Sequence, residues 1–158
     1  MIIRLLSVGS AKGPVAEAAA EFEKRARRYW RMEAVEVQAG AAGRGKAHAE
    51  AVMAAEEARL LERLPKEGWV VALTRSGRRM TSRELARHLE EKAVRSVPVV
   101  SFVIGGAFGL GEGILRRADL SMTLSSLTLP HEVARLLLAE QLYRAGTILR
   151  NEPYHKGP

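Results

Sequence analysis

The sequence predicts an α/β fold with a mostly parallel sheet that is covered by helices on both faces. Apolar segments of strand length alternate with amphipathic segments of helix length along the whole chain. The strand segments, such as 69–74 (WVVALT) and 97–104 (VPVVSFVI), are continuous apolar runs, as is typical of parallel strands buried on both sides. The 158 residues contain no internal repeat and no low-complexity linker. We therefore expect a single domain over 1–158.

The first half of the chain predicts two strands, each followed by a helix. Residues 2–8 (IIRLLSV) read as a buried strand that Gly9 closes. Pro14 suits the first turn of a helix, which we expect to run to about Met32. A short strand over 34–37, a glycine-rich loop over 38–46 and a helix rich in alanine and glutamate over about 47–64 follow.

The second half predicts three further strands. Strand 69–74 leads into a basic turn over 75–80, and Thr81 or Ser82 caps a helix that runs to about Val94. The last helix is apolar nearly all round, which predicts burial against the sheet on one side and a second subunit on the other. The remaining segments are a strand over 97–104, a short helix up to Arg117 and a strand over 120–124. The last helix runs from 130 to about 149, and a polar tail over 150–158 follows it.

The composition excludes several classes of protein and site. Apolar residues make up 47% and charged residues 27%, which is typical of a globular and not of a disordered chain. The absence of cysteine excludes disulfides, thiolate zinc sites and cysteine nucleophiles, and the four scattered histidines form no metal motif. The N-terminus does not read as a signal peptide, and no apolar run is long enough to span a membrane. We expect a cytoplasmic protein without a metal.

Basic residues outnumber acidic ones by 25 to 18, and the net charge of +7 predicts a polyanionic partner. The arginines at 75, 78 and 79 follow a strand end and are the best candidates for RNA contacts. A second basic cluster lies on a predicted face of the first helix: Lys24, Arg27, Arg28 and Arg31. The aromatic residues beside it favour a plain solvated face. A third cluster, Arg44 with Lys46, lies in the glycine-rich loop.

Two loops at predicted strand ends are candidate ligand sites. Residues 105–111 (GGAFGLG) hold four glycines, which permit tight turns and close approach of a ligand. Residues 124–131 (LSSLTLPH) combine hydroxyl groups with leucines in front of a helix, a pattern that also fits a simple capped helix start. The glycine order and the late position in the chain argue against a dinucleotide fingerprint, so an NAD-dependent oxidoreductase is excluded.

These segments closely resemble the bacterial ribosomal large subunit methyltransferase H family, a SPOUT-class family. The resemblance rests on IGG-x-x-G, S-x-L-T-L-P-H, LLLAEQLYRA and the C-terminal N-x-P-Y-H, and it spans essentially the whole chain. It implies a deep trefoil knot near the C-terminus and a homodimer. It further implies that S-adenosylmethionine methylates N3 of a pseudouridine in 23S rRNA at the subunit interface of the assembled ribosome.

The resemblance also implies individual site residues. The cofactor loops fall on Leu73, on Gly105 and on six consecutive residues: Leu124, Ser125, Ser126, Leu127, Thr128 and Leu129. The catalytic positions fall on the last helix and on the polar tail, which would complete the site of the partner subunit: Glu140, Arg144, Tyr154 and His155. The chain departs from many relatives at Thr74, where they have aspartate, and at Lys156, where they have arginine.

The reaction suggests a role for each of these groups. Attack by a pseudouridine N3 requires loss of an imide proton, which invites a base or a cation that stabilises the anion. His155 is the candidate near the base, Arg144 stabilises the developing charge, and Lys156 contacts a phosphate of the RNA. Two alternatives stay open: a SPOUT methyltransferase that acts on another RNA, and a non-catalytic rRNA-binding assembly factor.

Overall fold

The computed structural model describes residues 1–157 and contains a sheet of five parallel strands. The strand order is β2-β1-β4-β3-β5. Strands and helices alternate along the chain as follows: β1 (Ile2–Val8), α1 (Gly13–Ala26), β2 (Arg31–Val37), α2 (Lys46–Arg63), β3 (Trp69–Arg79), α3 (Ser82–Val94), β4 (Val99–Ile104), α4 (Glu112–Arg117), β5 (Leu120–Thr123) and α5 (His131–Leu149). The predicted fold class is confirmed for a parallel sheet flanked by helices.

Helices cover both faces of the sheet. On one face α1 and α3 pack against α5, and on the other face α2 packs against α4. Alternation along β1 shows the same division, because Ile3 and Leu5 belong to the α5 core while Leu6 and Val8 belong to the α2 core. The continuous apolar runs of the sequence therefore arise from burial on two sides.

Part of the surface of α5 is covered within the chain. Leu138 and Leu142 are fully buried, and α1 and α3 pack along the helix. Val133, Leu136 and Leu137 are only partly buried in the protomer, and the second subunit on this helix stays a prediction.

The first helix ends earlier than the sequence pattern predicts. It stops at Ala26, because Arg31 and Met32 pair with Ile2 and Ile3 in the sheet. Between helix and strand, Trp30 turns inward, and its indole Nε1 donates to the carbonyl of Leu142 at 2.9 Å. The prediction of a helix to about Met32 is therefore wrong. The basic residues that it placed on one helical face are divided between α1, a turn and β2.

The predicted basic turn over 75–80 is also wrong, since β3 continues to Arg79. Met122 of β5 pairs with Leu73 and again with Arg78, so residues 74–77 bulge out between two paired positions. A methyl group on Gly77 would lie 2.5 Å from the carbonyl carbon of Met122, which leaves room only for glycine. The turn-like residues 75–77 form an irregularity inside a strand whose partner comes from a distant part of the chain.

Candidate active site

A cleft of about 1250 Å³ opens at the carboxyl edge of the sheet. Parallel strands bring the loops that follow them to one edge, where α/β proteins bind ligands. The loops after β4 and β5 line the cleft together with the bulged part of β3 and the start of α5.

The loop after β4 forms one wall. Its amide at Gly109 donates to the carbonyl of Gly106 at 3.1 Å, and Gly109 has a φ of +84°. A methyl group on Gly105 would lie 2.7 Å from the backbone of Gly109, because the loop folds back on itself. The glycines at 105 and 109 thus serve the turn itself, and Phe108 beside them presents a half-exposed ring to the cleft.

The loop after β5 forms the opposite wall. The hydroxyl of Thr123 donates to the carbonyl of Ser125 at 2.7 Å, and Ser125 Oγ accepts from the amide of Leu127 at 3.0 Å. The side chain of Leu127 is left 71% exposed. Arg75 connects this wall to the bulge of β3, since its Nη1 donates to Thr128 Oγ1 at 3.1 Å.

The start of α5 closes the cleft at its base. Pro130 is the N-cap and no side chain caps the helix, so the alternative interpretation of this segment as a simple capped helix start is wrong. The first-turn amides therefore lack a side-chain partner. His131 lines the cleft, its ring lies against Gly9, and its Nε2 is buried without a hydrogen-bond partner among residues 1–157.

The cleft contains the predicted cofactor residues with one exception. Those that line it are Leu73, Gly105, Leu124, Ser125, Leu127, Thr128 and Leu129. Ser126 is exposed and does not line the cleft. Thr74 does line it, although its departure from the family pattern gave no role to this position. Ser76 and Ala134 also line the cleft; they lie outside the two predicted ligand loops, and only the folded chain brings them there.

The predicted catalytic residues form a second cluster. Glu140 Oε1 accepts from Arg144 Nη2 at 2.5 Å and from the Tyr154 hydroxyl at 2.9 Å. Arg144 Nη1 lies 3.3 Å from His155 Nδ1, and its guanidinium lies 4.7 Å from the centre of the Tyr154 ring. One carboxylate therefore ties the polar tail to α5.

The electrostatics of this cluster follow from its hydrogen bonds. Burial and the hydrogen bond to Glu140 raise the pKa of the Tyr154 hydroxyl. The hydrogen bond to Glu140 raises the pKa of the Arg144 guanidinium, which stays a cation. Because a guanidinium only donates, His155 Nδ1 accepts, and the ring proton then resides on Nε2. His155 Nε2 is buried without a partner among the described residues and is available to donate to a ligand.

The two clusters lie apart in one protomer. Arg144 comes ten residues after Ala134, the last residue of α5 that lines the cleft, which places it about 15 Å further along the helix axis. None of the four predicted catalytic residues lines the cleft of its own chain. Lys156 follows the cluster and is exposed.

The predicted RNA-contacting arginines are exposed. Arg75 lies at the mouth of the cleft, and Arg78 and Arg79 lie on the extended end of β3. Arg78 makes only a long ion pair with Glu84, at 3.9 Å. The guanidinium groups of this strand end are thus accessible beside the cleft.

The described part of the chain contains neither a metal site nor a membrane-spanning helix. Residues 1–157 contain no cluster of three or more side chains suited to hold a metal ion. No helix within the same range has the length and apolar character needed to cross a bilayer.

Comparison with known proteins assigns the chain to a family. A family profile described as "predicted SPOUT methyltransferase" matches residues 1–155. A protein of Syntrophotalea carbinolica named ribosomal RNA large subunit methyltransferase H is 45% identical, over 98% of this chain and 99% of its own. The chain belongs to the ribosomal RNA large subunit methyltransferase H family of SPOUT methyltransferases. Another relative of the same name, from Neisseria meningitidis, is also 45% identical, over 99% of both chains.

Solved structures agree with the family at the level of the fold. A putative methylase family protein from Neisseria gonorrhoeae has a TM-score of 0.57 at 18% identity, covering 99% of this chain and 86% of that one. A probable methylase family protein from Haemophilus influenzae has a TM-score of 0.55 at 15% identity, covering 98% and 70%. These two similarities support the SPOUT fold of the family.

The family implies a methyl-donor cofactor, generally S-adenosylmethionine, and the cleft fits that group. Exposed apolar side chains at Leu127 and Phe108 suit the adenine ring. The hydroxyl of Thr128 and the uncapped start of α5 suit its polar and charged parts. The residues present can therefore hold an amphipathic cofactor of this kind.

Proposed function

We propose that this chain uses S-adenosylmethionine to methylate N3 of a pseudouridine in 23S rRNA, at the subunit interface of the assembled ribosome. The observation that carries the proposal is the cleft, in which segments far apart in sequence meet as the family resemblance requires. The near full-length relatives named as rRNA large subunit methyltransferases support the RNA class. The cofactor supplies an activated methyl group when it is bound.

The cleft residues act by binding and orientation. Leu73, Leu124 and Leu129 enclose the apolar part of the cofactor, while the backbone around Gly105 and Thr128 contacts its polar part. Because the methyl group is already activated, holding it in line with N3 is the main contribution of the protein to this half of the site.

The tail cluster, formed by Glu140, Arg144, Tyr154 and His155, acts on the base. The Arg144 guanidinium stabilises the negative charge that develops as N3 releases its proton to solvent water. His155 donates from Nε2 to an oxygen of the base and so orients it. Glu140 keeps Arg144 and Tyr154 in place through its Oε1. Lys156 lies next to this cluster in the chain and contacts a phosphate, together with the arginines at 75, 78 and 79.

A homodimer joins the two halves of the site. Arg144 lies about 15 Å along α5 from the cleft of its own chain, and none of the four tail residues lines that cleft. A partner related by two-fold symmetry can present its tail to this cleft, and the reverse contact then forms a second equivalent site. The cytoplasm, where ribosomes are found, is the location that this substrate requires.

The trefoil knot of the family belongs to the same proposal. It is supported by β5, which pairs with β3 both before and after the bulge at 74–77. The absence of space for a side chain at Gly77 against Met122 shows how closely the two segments pass. Threading of this kind is rare among folded chains.

The test is transfer of labelled methyl groups from S-adenosylmethionine to three substrates from a strain that lacks this gene: assembled ribosomes, isolated large subunits and naked rRNA. We expect label on assembled ribosomes at one pseudouridine. Label on a different RNA would leave the methyltransferase activity and overturn the target. A protein that binds no cofactor by calorimetry would favour the non-catalytic assembly factor.

A further inference from the structure

Helix α2 carries a buried carboxylate that the proposed reaction does not use. Glu56 is 4% exposed, and it lies in line with the buried apolar residues Val52 and Leu60 on the face of α2 that packs on the protein. An aliphatic side chain could be buried at this position at little cost, whereas a carboxylate needs hydrogen bonds to offset its desolvation. Its contacts therefore indicate what it does.

One oxygen of Glu56 holds the glycine-rich loop after β2. Oε1 accepts from the amide of Gly40 at 2.8 Å. Gly40 is also pressed onto α2, since a methyl group there would lie 2.4 Å from Val52 Cγ1. The loop over 38–45 is thus fixed to the same helical face.

The other oxygen lies against the wall of the cofactor cleft. A methyl group on Gly106 would be 2.6 Å from Glu56 Oε2 and 3.0 Å from Val8 Cγ1, so Gly106 is held between a carboxylate and a strand side chain. Oε2 is buried and has no hydrogen-bond partner within residues 1–157. Gly106 lines the cleft, and its carbonyl accepts from Gly109 in the turn of that wall.

From these contacts we infer that Glu56 is a positioning residue for cofactor binding, an inference that rests on the proposed function. It fixes the position of Gly106. Because Gly106 and Gly109 form one turn, it thereby also fixes the position of the cleft wall over 105–110. It does so without touching the cofactor, because its side chain lies behind the loop and does not line the cleft. The same carboxylate fixes the loop that bears Arg44.

The neighbouring Glu57 offers a matched control. Its Oε2 accepts from the amide of Gly113 at 2.7 Å and lies against Gly111, at the start of α4 rather than at the turn of the wall. The two adjacent carboxylates therefore contact different glycines of one loop, and only Glu56 touches the turn.

The experiment measures binding of S-adenosylhomocysteine by calorimetry in the full-length protein. We expect G106A to weaken binding about tenfold or more, because its methyl group displaces the wall. Removing the carboxylate relieves the clash, so G106A/E56A should bind within about threefold of E56A. G106A/E57A should remain as weak as G106A, and thermal unfolding reports whether each variant is folded.

Single variants keep the inference testable if G106A does not fold. E56A should weaken binding severalfold and raise the KM for S-adenosylmethionine, with kcat at saturation little changed, since only the wall is displaced. E56Q keeps an oxygen for Gly40 and should bind nearly as well as the unaltered chain.

The outcomes separate the inference from the proposed function. An unaltered chain that binds no S-adenosylhomocysteine overturns the proposed function. An unaltered chain that binds, together with additive losses in G106A/E56A or full affinity in E56A, overturns the role of Glu56 alone.

Discussion

Glu140 organises the tail through both of its carboxylate oxygens. Oε1 accepts from Arg144 and Tyr154, and Oε2 accepts from Gln141 Nε2 at 2.7 Å. Gln141 is held in turn by the hydroxyl of Ser82, which donates to its Oε1 at 2.6 Å. A chain of hydrogen bonds thus runs from the start of α3 to the tail, and it fixes Arg144 before any substrate arrives.

Substitution of Arg144 or His155 should slow methyl transfer and leave cofactor binding intact. We expect R144A and H155A each to lower the single-turnover rate on ribosomes by about 100-fold. Affinity for S-adenosylhomocysteine should not change, because neither side chain lines the cleft. R116A, which removes an exposed arginine on α4, serves as the control. Normal rates in both tail variants would exclude the proposed roles.

The individual site residues that the sequence proposes come from motifs, and their roles stay predictions. Leu73, Thr128 and the tail residues followed from the family pattern, and the structure groups them as two clusters. Glu56 could be suspected only from an acid in the apolar stripe of α2. Its partners Gly40 and Gly106 are distant in sequence, and the folded chain alone brings them together.

At the scale of elements, Arg135 joins three of them. It extends from α5 to Glu23 of α1, with Nε 2.7 Å from Oε1, and its Nη1 donates to Glu36 of β2. The side chains of Arg135 and Glu23 are only 13% and 5% exposed. Loss of the arginine would leave a buried carboxylate without its counter-charge.

Substitution of Arg135 should therefore be strongly destabilising. We expect R135M to lower the free energy of unfolding by about 3 kcal/mol, measured by urea denaturation. The exposed pair between Arg25 and Glu21 is the matched control, and E21A should lower the free energy of unfolding far less than R135M. R135M/E23L should recover part of the loss, since it removes the unpaired charge as well. Equal effects of R135M and E21A would contradict a structural role for the buried pair.

The sequence predicts the existence and type of every element, but the end of α1, the start of β2 and the end of β3 fail for one physical reason. Local periodicity continues α1 towards Met32, and local charge makes 75–80 look like a turn. In both segments a neighbouring strand provides backbone partners, β1 for Arg31 and β5 for Arg78. Such long-range pairing overrides local preference and is not visible in a short window of sequence.

At the scale of the whole molecule, the net charge of +7 should appear as a salt dependence of activity. We expect kcat/KM for ribosomes to fall steeply with salt, and R78A and R79A each to reduce the slope by about 1. R75A should in addition weaken S-adenosylhomocysteine binding, because Arg75 also holds Thr128. A slope that is unaltered in all three variants would remove this strand end from the RNA interface.

If the site is shared between two subunits, a mixture of two inactive variants should regain activity. R144A lacks a functional tail, and G105V should lack a functional cleft because its side chain collides with Gly109. Random exchange of subunits gives half heterodimers, each with one intact site, so the mixture should recover about a quarter of normal activity. A mixture as inactive as its components, with subunit exchange verified, would show that tail and cleft act within one chain.

The packing of α1 on α5 also governs when the chain can fold. Leu138 and Leu142 complete the same core as Ile3 and Leu5, although more than a hundred residues separate them. At a synthesis rate of about 5–20 residues per second, α1 waits roughly 5–20 s for its partner helix. During that interval its apolar face is uncovered on the nascent polypeptide. Folding of this protein is therefore completed late, after its final helix has emerged from the ribosome.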